Sequence, residues 1–343
     1  MGIKQLFSGE QKNVYIIAEI GVNHNGSMEL AMQSIDEAIR AGADAVKFQT
    51  FKSSKLVTKN ASKATYQEQN TNSTESQLEM LRKLELSFDN FKVLQKYCLE
   101  KKIDFLSTPF DEESAEFLNS IEVNAFKIGS GDLNNIPFLK QIDRYGRPVL
   151  LSTGMSSLEE VRESLSVFEK SRVALLHCTS DYPAPICDVN LLAMNTMAER
   201  FRVVTGYSDH TEGHEVTVAA VTLGAQIIEK HFTLDRNLPG PDHSASLEPA
   251  EFADMVNVIR RVEQALGDGI KRCMPSEENT KTVARKSLVT AKELKAGTLL
   301  SEGDLIIKRP GTGIEPKHYV DVLGKKLLRD LDGDEMLSWD DFV

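Results

Sequence analysis

The chain has 343 residues, 41% hydrophobic and 27% charged, an ordinary globular balance that excludes global disorder and supports a sizeable core. Forty lysines and arginines face 51 aspartates and glutamates, a net charge of −11 with no local basic stripe, so nucleic acid and anionic membrane are excluded as partners. No apolar run approaches the ~18 residues of a membrane span and the four cysteines form no C-x-x-C pair, so a soluble, cytoplasmic protein with reduced thiols is expected.

Eight short runs rich in apolar and β-branched residues recur, at 14–20, 45–50, 104–109, 125–130, 148–153, 173–178, 203–208 and 227–233. Amphipathic stretches lie between them and one follows; the clearest are 27–41, 87–101, 112–120, 158–170, 215–223 and 249–266. In the first of these, Met28, Ala31, Ile35 and Ile39 repeat at helical spacing. Strands alternating with helices imply parallel pairing through right-handed crossovers. Eight such units in succession predict an α/β fold, a (β/α)8 TIM barrel, over residues 1–266. An open doubly wound sheet is the competitor, but residues 21–26 do not supply its G-x-G-x-x-G turn.

One connection is anomalous: residues 52–86, between the second strand and its helix, are rich in Ser, Thr, Asn and Gln. Such an insertion on the catalytic face serves as a lid or partner contact, or is a solvated loop with a short helix near 77–84. Beyond residue 266 the period breaks into a polar linker, 267–285, and a small β-rich domain, 286–343.

Barrel strand ends converge on one face, and here they are unusually polar. In order they supply Glu19; Lys47 and Gln49; Ser107 and Thr108; Lys127 and Ser130; Ser152 and Thr153; His177; Ser208 and His210; and Glu229, Lys230 and His231. Burying such groups unpaired is costly, so they mark a site rather than a core. Lys47 and Lys127, with Ser130, Ser152 and Ser208 beside glycine turns, suit an anion carrying phosphate and carboxylate together. Among seven histidines, His210 and His231 end neighbouring strands and are candidate ligands for one ion. Two nitrogens without thiolates favour Mn²⁺ or a similar divalent ion over structural zinc. Glu19 is the candidate general acid/base, unless it only pairs with Lys47 or Lys127.

Several segments resemble the sialic acid synthase family. They are Ala18-Glu19-Ile20-Gly21-Val22-Asn23-His24-Asn25-Gly26, Asp44-Ala45-Val46-Lys47-Phe48-Gln49-Thr50, Lys127-Ile128-Gly129-Ser130-Gly131, Tyr207-Ser208-Asp209-His210-Thr211, Glu229-Lys230-His231-Phe232-Thr233-Leu234-Asp235 and Gly240-Pro241-Asp242-His243. Lys308-Arg309-Pro310-Gly311-Thr312-Gly313-Ile314 resembles that family's C-terminal antifreeze-like SAF domain. The resemblance spans nearly the whole chain and implies condensation of phosphoenolpyruvate with N-acetylmannosamine or a relative, giving a nine-carbon 2-keto acid and phosphate. It implies phosphoenolpyruvate contacts from Lys47, Thr108, Lys127, Ser130, Ser152, Ser180 and Ser208, and Mn²⁺, Mg²⁺ or Co²⁺ on His210 and His231. The sugar would meet Gln49, Asp132, Tyr182 and Asp242, and Arg309 would reach it from the partner's SAF domain in a domain-swapped homodimer. Catalytic roles fall to Glu19, Lys47 and Lys127.

Two departures bear on the substrate. Asp132 stands where many bacterial members carry Glu, and Ser180 where some carry Asn. The first leaves N-acetylmannosamine, its 6-phosphate and a 2,4-diacetamido sugar of the legionaminic acid type in competition; the Arg309 segment favours N-acetylmannosamine. A 3-deoxy-octulosonate 8-phosphate type of synthase is disfavoured by the SAF-like tail. A non-catalytic carbohydrate-binding barrel is disfavoured by the intact set Glu19, Lys47, Lys127, His210 and His231.

Overall fold

The computed structural model describes residues 2–10, 13–71 and 75–343, apart from the side chain of Gln69. It divides into two compact units, 1–267 and 268–343. In the first unit, eight parallel strands are present among the described residues: β1 (Tyr15–Gly21), β2 (Ala45–Thr50), β3 (Asp104–Pro109), β4 (Phe126–Ile128), β5 (Val149–Ser152), β6 (Val173–His177), β7 (Val204–Asp209) and β8 (Ile227–His231). Hydrogen-bonded pairing runs β3-β2-β1-β8-β7-β6-β5-β4, with β3 and β4 side by side at the seam of a nearly closed TIM-like barrel. Helices alternate with the strands, and several start where Ser27, Ser87, Asp111 and Ser157 accept a backbone N–H as N-caps. The helix from Leu158 stops at Leu165, shorter than the amphipathic stretch, because residues 166–168 turn back in hydrogen bonds onto 162–165.

Strand alternation divides the barrel into two cores. Ile16, Ala18, Val46, Phe48, Phe105, Phe126, Leu175 and Ile228 point outward and pack under the helices. Tyr15, Ile17, Ala45, Leu106, Leu150, Leu176 and Ile227 point inward and fill the lower lumen, which the N-terminal helix Ile3–Ser8 plugs with Ile3 and Leu6. The lumen is full at this level: a Cβ on Gly206 would lie 2.4 Å from the Ile227 carbonyl oxygen and 2.8 Å from Leu176 Cδ2. Above it, the same inward phase delivers polar side chains. Glu19 follows Tyr15 and Ile17, Lys47 follows Ala45, and Ser208 follows Gly206. The polar face is therefore the top layer of a packed barrel.

The insertion is helical rather than an open loop. Helices Ser53–Leu56, Thr65–Thr71 and Gln77–Leu84 form there, while 72–74 lie outside the described residues. The third has a Ser76/Glu79 capping box and buries Met80, Leu81 and Leu84 against Val22 and Phe51. Among the described residues, no helix is long and apolar enough to cross a membrane.

The second unit pairs β9 (Ser287–Thr290) with β10 (Leu305–Lys308) antiparallel. Its own core gathers Leu288, Leu294, Leu300, Leu305, Ile314, Val322, Leu327, Leu331, Leu337 and Phe342. A short helix, Glu278–Ala284, forms within the stretch that composition alone marks as linker. Arg309 is exposed beside a loop held by Ser287, whose hydroxyl donates to the Pro310 carbonyl at 2.7 Å and accepts from Gly313 N at 2.9 Å.

Candidate active site

The upper lumen opens into a cavity of about 220 Å³. Of the residues singled out in the sequence, Glu19, Lys47, Gln49, Thr108, Lys127, Ser130, Ser152, Ser180, Tyr182, Ser208, His210 and His231 all line it. The bend that ends β1 leaves room for this arrangement. Gly21 has φ +56, and a Cβ there would sit 3.1 Å from both Glu19 Oε1 and Gln49 Nε2.

One side of the cavity is cationic. Lys47 Nζ contacts Glu19 Oε2 at 2.9 Å and Glu229 Oε1 at 3.7 Å, and donates to Thr108 Oγ1 at 3.1 Å. Lys127 Nζ donates to Ser152 Oγ at 2.7 Å and lies 3.6 Å from the same Glu229 oxygen, which also accepts from Ser208 Oγ at 2.9 Å. Glu229 is thus the carboxylate that allows two buried ammonium groups to share one cavity. Burial acts to raise its pKa, but Lys127, Lys47 and the Ser208 hydroxyl outweigh it and hold the carboxyl below the ordinary range. For Lys127, burial and then the like charge of Lys47 prevail over Glu229 and lower the ammonium's pKa. Lys47 goes the other way: burial opposes it, but Glu19 and Glu229 raise it. Glu229 Oε2 is buried with no hydrogen-bond partner among the described residues. The two ammonium groups and the hydroxyls of Thr108, Ser130, Ser152, Ser180 and Ser208 are the donors that suit this side to a small anion.

The opposite side carries the histidines. His210 and His231 have ring centroids 5.5 Å apart, and the Tyr182 ring packs on both, at 4.2 and 5.4 Å. His210 Nδ1 lies 2.6 Å from the Thr179 carbonyl, which fixes the proton on Nδ1 and leaves the lone pair on Nε2, 3.4 Å from Ser208 Oγ. Burial lowers the His210 pKa to about 4, and burial with the charges around it takes His231 well below the ordinary value. Both rings are therefore neutral near pH 7, the state a metal requires. His231 Nδ1 is buried without a hydrogen-bond partner among the described residues. Among the described residues no group of three His, Cys, Asp or Glu is poised to hold an ion, so water or substrate oxygens would complete the coordination of a divalent cation. The donor set fits such an ion.

Glu19 stands between the two sides. It is 1% exposed and accepts from Gln49 Nε2 at 3.1 Å. Burial, with the nearby Glu229 charge, pushes its carboxyl up to about 7 against the opposing pull of Lys47.

The profile of the NeuB family matches residues 34–271. The chain belongs to the NeuB family. The SAF domain profile matches residues 285–343. The N,N'-diacetyllegionaminic acid synthase of Campylobacter jejuni subsp. jejuni serotype O:2 is 46% identical over 95% of this chain and 99% of its own length. The enzyme of that name from Legionella pneumophila is 43% identical over 97% and 95%. Among solved structures, an N-acetylneuraminic acid (sialic acid) synthetase from Leptospira borgpetersenii, in complex with citrate, is 37% identical with a TM-score of 0.69, covering 78% of this chain and 90% of that one. This NeuB-family chain is an enzyme of the sialic-acid-synthase type.

Two residues implied by the resemblance, Asp132 and Asp242, do not line the cavity of this NeuB-family barrel. Asp132 is half-buried in the short turn Ser130–Asp132, where it accepts from Asn135 Nδ2 at 3.0 Å. Arg309 belongs to the second unit. Asp242 is buried beyond β8, and the preceding Pro241 carbonyl accepts from Asn70 Nδ2 of the insertion at 2.6 Å. Conversely, the cavity is lined by Glu229 and Cys178, neither of which carried a role in the sequence reading. Parity was the available signal for Glu229, which lies two residues before His231 and so faces the same side. Of the other polar strand ends, Ser107 turns outward to Thr50 at 2.7 Å and Lys230 to Asp209 at 2.9 Å. His177 opens on a neighbouring groove, with Nε2 2.7 Å from the Val189 carbonyl. The insertion reaches the site through Tyr66, whose ring lies 5.0 Å from that of Tyr182.

Burial raises the Asp242 carboxyl from its ordinary 3.8 to about 6, although Lys47 opposes this. A carboxyl whose pKa is raised on folding costs nothing below about pH 4, where both states are protonated. Its cost grows as pH rises through the window and is complete above about pH 6, at roughly 2–3 kcal/mol. Asp242→Asn is accordingly expected to raise the thermal midpoint at pH 7.5, with a smaller or no gain at pH 4. An equal shift at both pH values would show that Asp242 ionisation is not the cause.

Proposed function

We propose that this chain condenses phosphoenolpyruvate with the open-chain aldehyde of an N-acyl amino sugar, giving a nine-carbon 2-keto acid and phosphate by C–O cleavage. The observation that carries this reading is the pair of buried lysines, joined through Glu229, facing two neutral histidines across one cavity. A small substrate with two anionic groups and a carbonyl acceptor need those two halves side by side.

Lys47 and Lys127 bind the phosphate and carboxylate of phosphoenolpyruvate, with Thr108, Ser130, Ser152, Ser180 and Ser208 supplying hydroxyl contacts. C3 of phosphoenolpyruvate forms the new bond to the aldehyde carbon. Water then adds at C2, and the C2–O bond to phosphate breaks with phosphate leaving. Glu19 holds or moves a proton, at the new C4 hydroxyl or at the attacking water. Gln49 and Tyr182, both in the cavity wall, orient the sugar. A divalent cation (Mn²⁺, Mg²⁺ or Co²⁺) on His210 and His231 would supply Lewis acidity to the sugar carbonyl oxygen.

Within this class we favour a 2,4-diacetamido sugar leading to a legionaminic-acid-type product, because the relatives 46% and 43% identical bear that name. N-acetylmannosamine is the second reading, favoured by the Arg309 segment and by the name of the Leptospira enzyme. The working unit is a cytoplasmic homodimer in which Arg309 serves the partner's sugar pocket.

The test is phosphate release from phosphoenolpyruvate with N-acetylmannosamine, its 6-phosphate and a 2,4-diacetamido hexose. No turnover with any of them would sink the proposal. Chelation is expected to slow turnover by at least about 10²-fold, the scale of a few kcal/mol of Lewis-acid stabilisation, with recovery on adding Mn²⁺. EDTA-insensitive sugar binding without phosphate release would support a non-catalytic barrel instead.

A further inference from the structure

Directly behind the cavity lies an ion pair that touches none of the groups assigned above. Asp209 and Lys230 are cross-strand partners on β7 and β8, with Nζ 2.9 Å from Oδ2, and both side chains are wholly buried. Each is flanked by residues of opposite phase: Asp209 by Ser208 and His210, Lys230 by Glu229 and His231. The four neighbours face the cavity, while the pair faces the helix layer.

Asp209 is densely satisfied. Its Oδ1 accepts from Thr211 N at 2.9 Å, Thr211 Oγ1 at 2.8 Å and Tyr207 OH at 3.2 Å, and its Oδ2 accepts from Thr217 Oγ1 at 2.6 Å. Lys230 also donates to the Thr211 carbonyl at 2.6 Å. The node thereby joins the ends of two strands, the loop leaving β7 and the helix Glu215–Thr222. Holding β7 to β8 does not require it, since the backbone ladder already does so, and a buried ion pair is weak support for stability compared with apolar packing. What it adds to the ladder is a side-chain tie between the two strand ends, the loop at Thr211 and the helix at Thr217.

The histidines differ in how much they depend on that. His210 has a ring hydrogen bond to Thr179, whereas His231 Nδ1 has none among the described residues. The aim of the His231 ring thus comes from packing and from its backbone, which β1 and Leu247 hold on one side and the Asp209–Lys230 pairing with β7 holds on the other. We propose that the Asp209–Lys230 pair is the positioning device of the two-histidine site. The inference rests on His210 and His231 as metal ligands.

The experiment titrates Mn²⁺ into metal-stripped, full-length protein and follows unbound Mn²⁺ by electron paramagnetic resonance. Three variants are compared with the natural chain: Lys230→Met, isosteric Asp209→Asn, and the apolar double variant Asp209→Leu/Lys230→Met, which retains packing if a single change unfolds the protein. The Kd is expected to rise about 10–100-fold, the usual penalty for losing the groups that orient metal ligands. In the double variant this should occur with a thermal midpoint near that of the natural chain. Asp104→Asn, at the opposite end of the barrel where Asp104 accepts from Tyr15 OH and Ile3 N, should lower the midpoint and leave the Kd unchanged. A folded double variant with unaltered Kd, or an equal Kd shift in Asp104→Asn, overturns the inference alone. A natural chain that takes up no Mn²⁺, or whose uptake survives His210→Ala and His231→Ala, overturns the metal assignment and this inference with it.

Discussion

Lys127→Met is expected to lower kcat/KM for phosphoenolpyruvate by about 10³–10⁵-fold, combining the 10²–10³ typical of one lost electrostatic contact in kcat with weakened binding. Two ammonium groups now offset Glu229 and a Glu19 that is only partly ionised near neutral pH. Removing Lys127 leaves Lys47 alone between two carboxyls, 2.9 Å from Glu19 and 3.7 Å from Glu229, and the cavity no longer attracts an anion. The variant should fold, because Lys47 at 3.7 Å and the Ser208 hydroxyl at 2.9 Å still compensate Glu229 once Lys127 is gone. Circular dichroism and Mn²⁺ uptake should be close to those of the natural chain. A folded variant with kcat/KM within tenfold of the natural protein would remove Lys127 from the anion site.

That expectation depends on Glu229, which illustrates what a single sequence conveys and what it does not. The barrel was legible because parallel strands covered on both faces become apolar runs, and the runs at 45–50 and 104–109 coincide with β2 and β3. Lys47 and Gln49 are two residues apart, so strand alternation puts them on one face, and both line the cavity. The phase fails where polarity is continuous. Glu229, Lys230 and His231 carry no apolar marker, so parity groups Glu229 with His231, and pairing of Ser208 with Glu229 across the ladder fixes that both face inward. Asp132 was placed by motif, but a three-residue turn directs its carboxylate to Asn135 instead. The helix Thr65–Thr71 lay hidden in a polar stretch because it is held by distant contacts, Tyr66 on Tyr182 and Asn70 on Pro241, rather than by an apolar stripe of its own.

Glu19→Gln is expected to reduce kcat by about 10²–10⁴-fold, the range of a positioned general acid or base. The substitution keeps shape and leaves an acceptor for Gln49, so geometry should survive while proton exchange does not. A carboxyl held near 7 offers both protonation states at neutral pH, the condition under which one group can take a proton and return it. Lys47, 2.9 Å away, stabilises the ionised form, and burial stabilises the protonated one. The balance between them keeps the group active, where a simple salt bridge would leave it permanently charged. The pH–rate profile is therefore informative beyond the rate itself. If Glu19 accepts the proton in the limiting step, activity of the natural chain climbs with pH through about 7; if it donates, activity falls there. In Glu19→Gln that limb should vanish while Mn²⁺ affinity stays unchanged. Near-normal turnover with metal binding intact would leave Glu19 as no more than the partner that restrains Lys47.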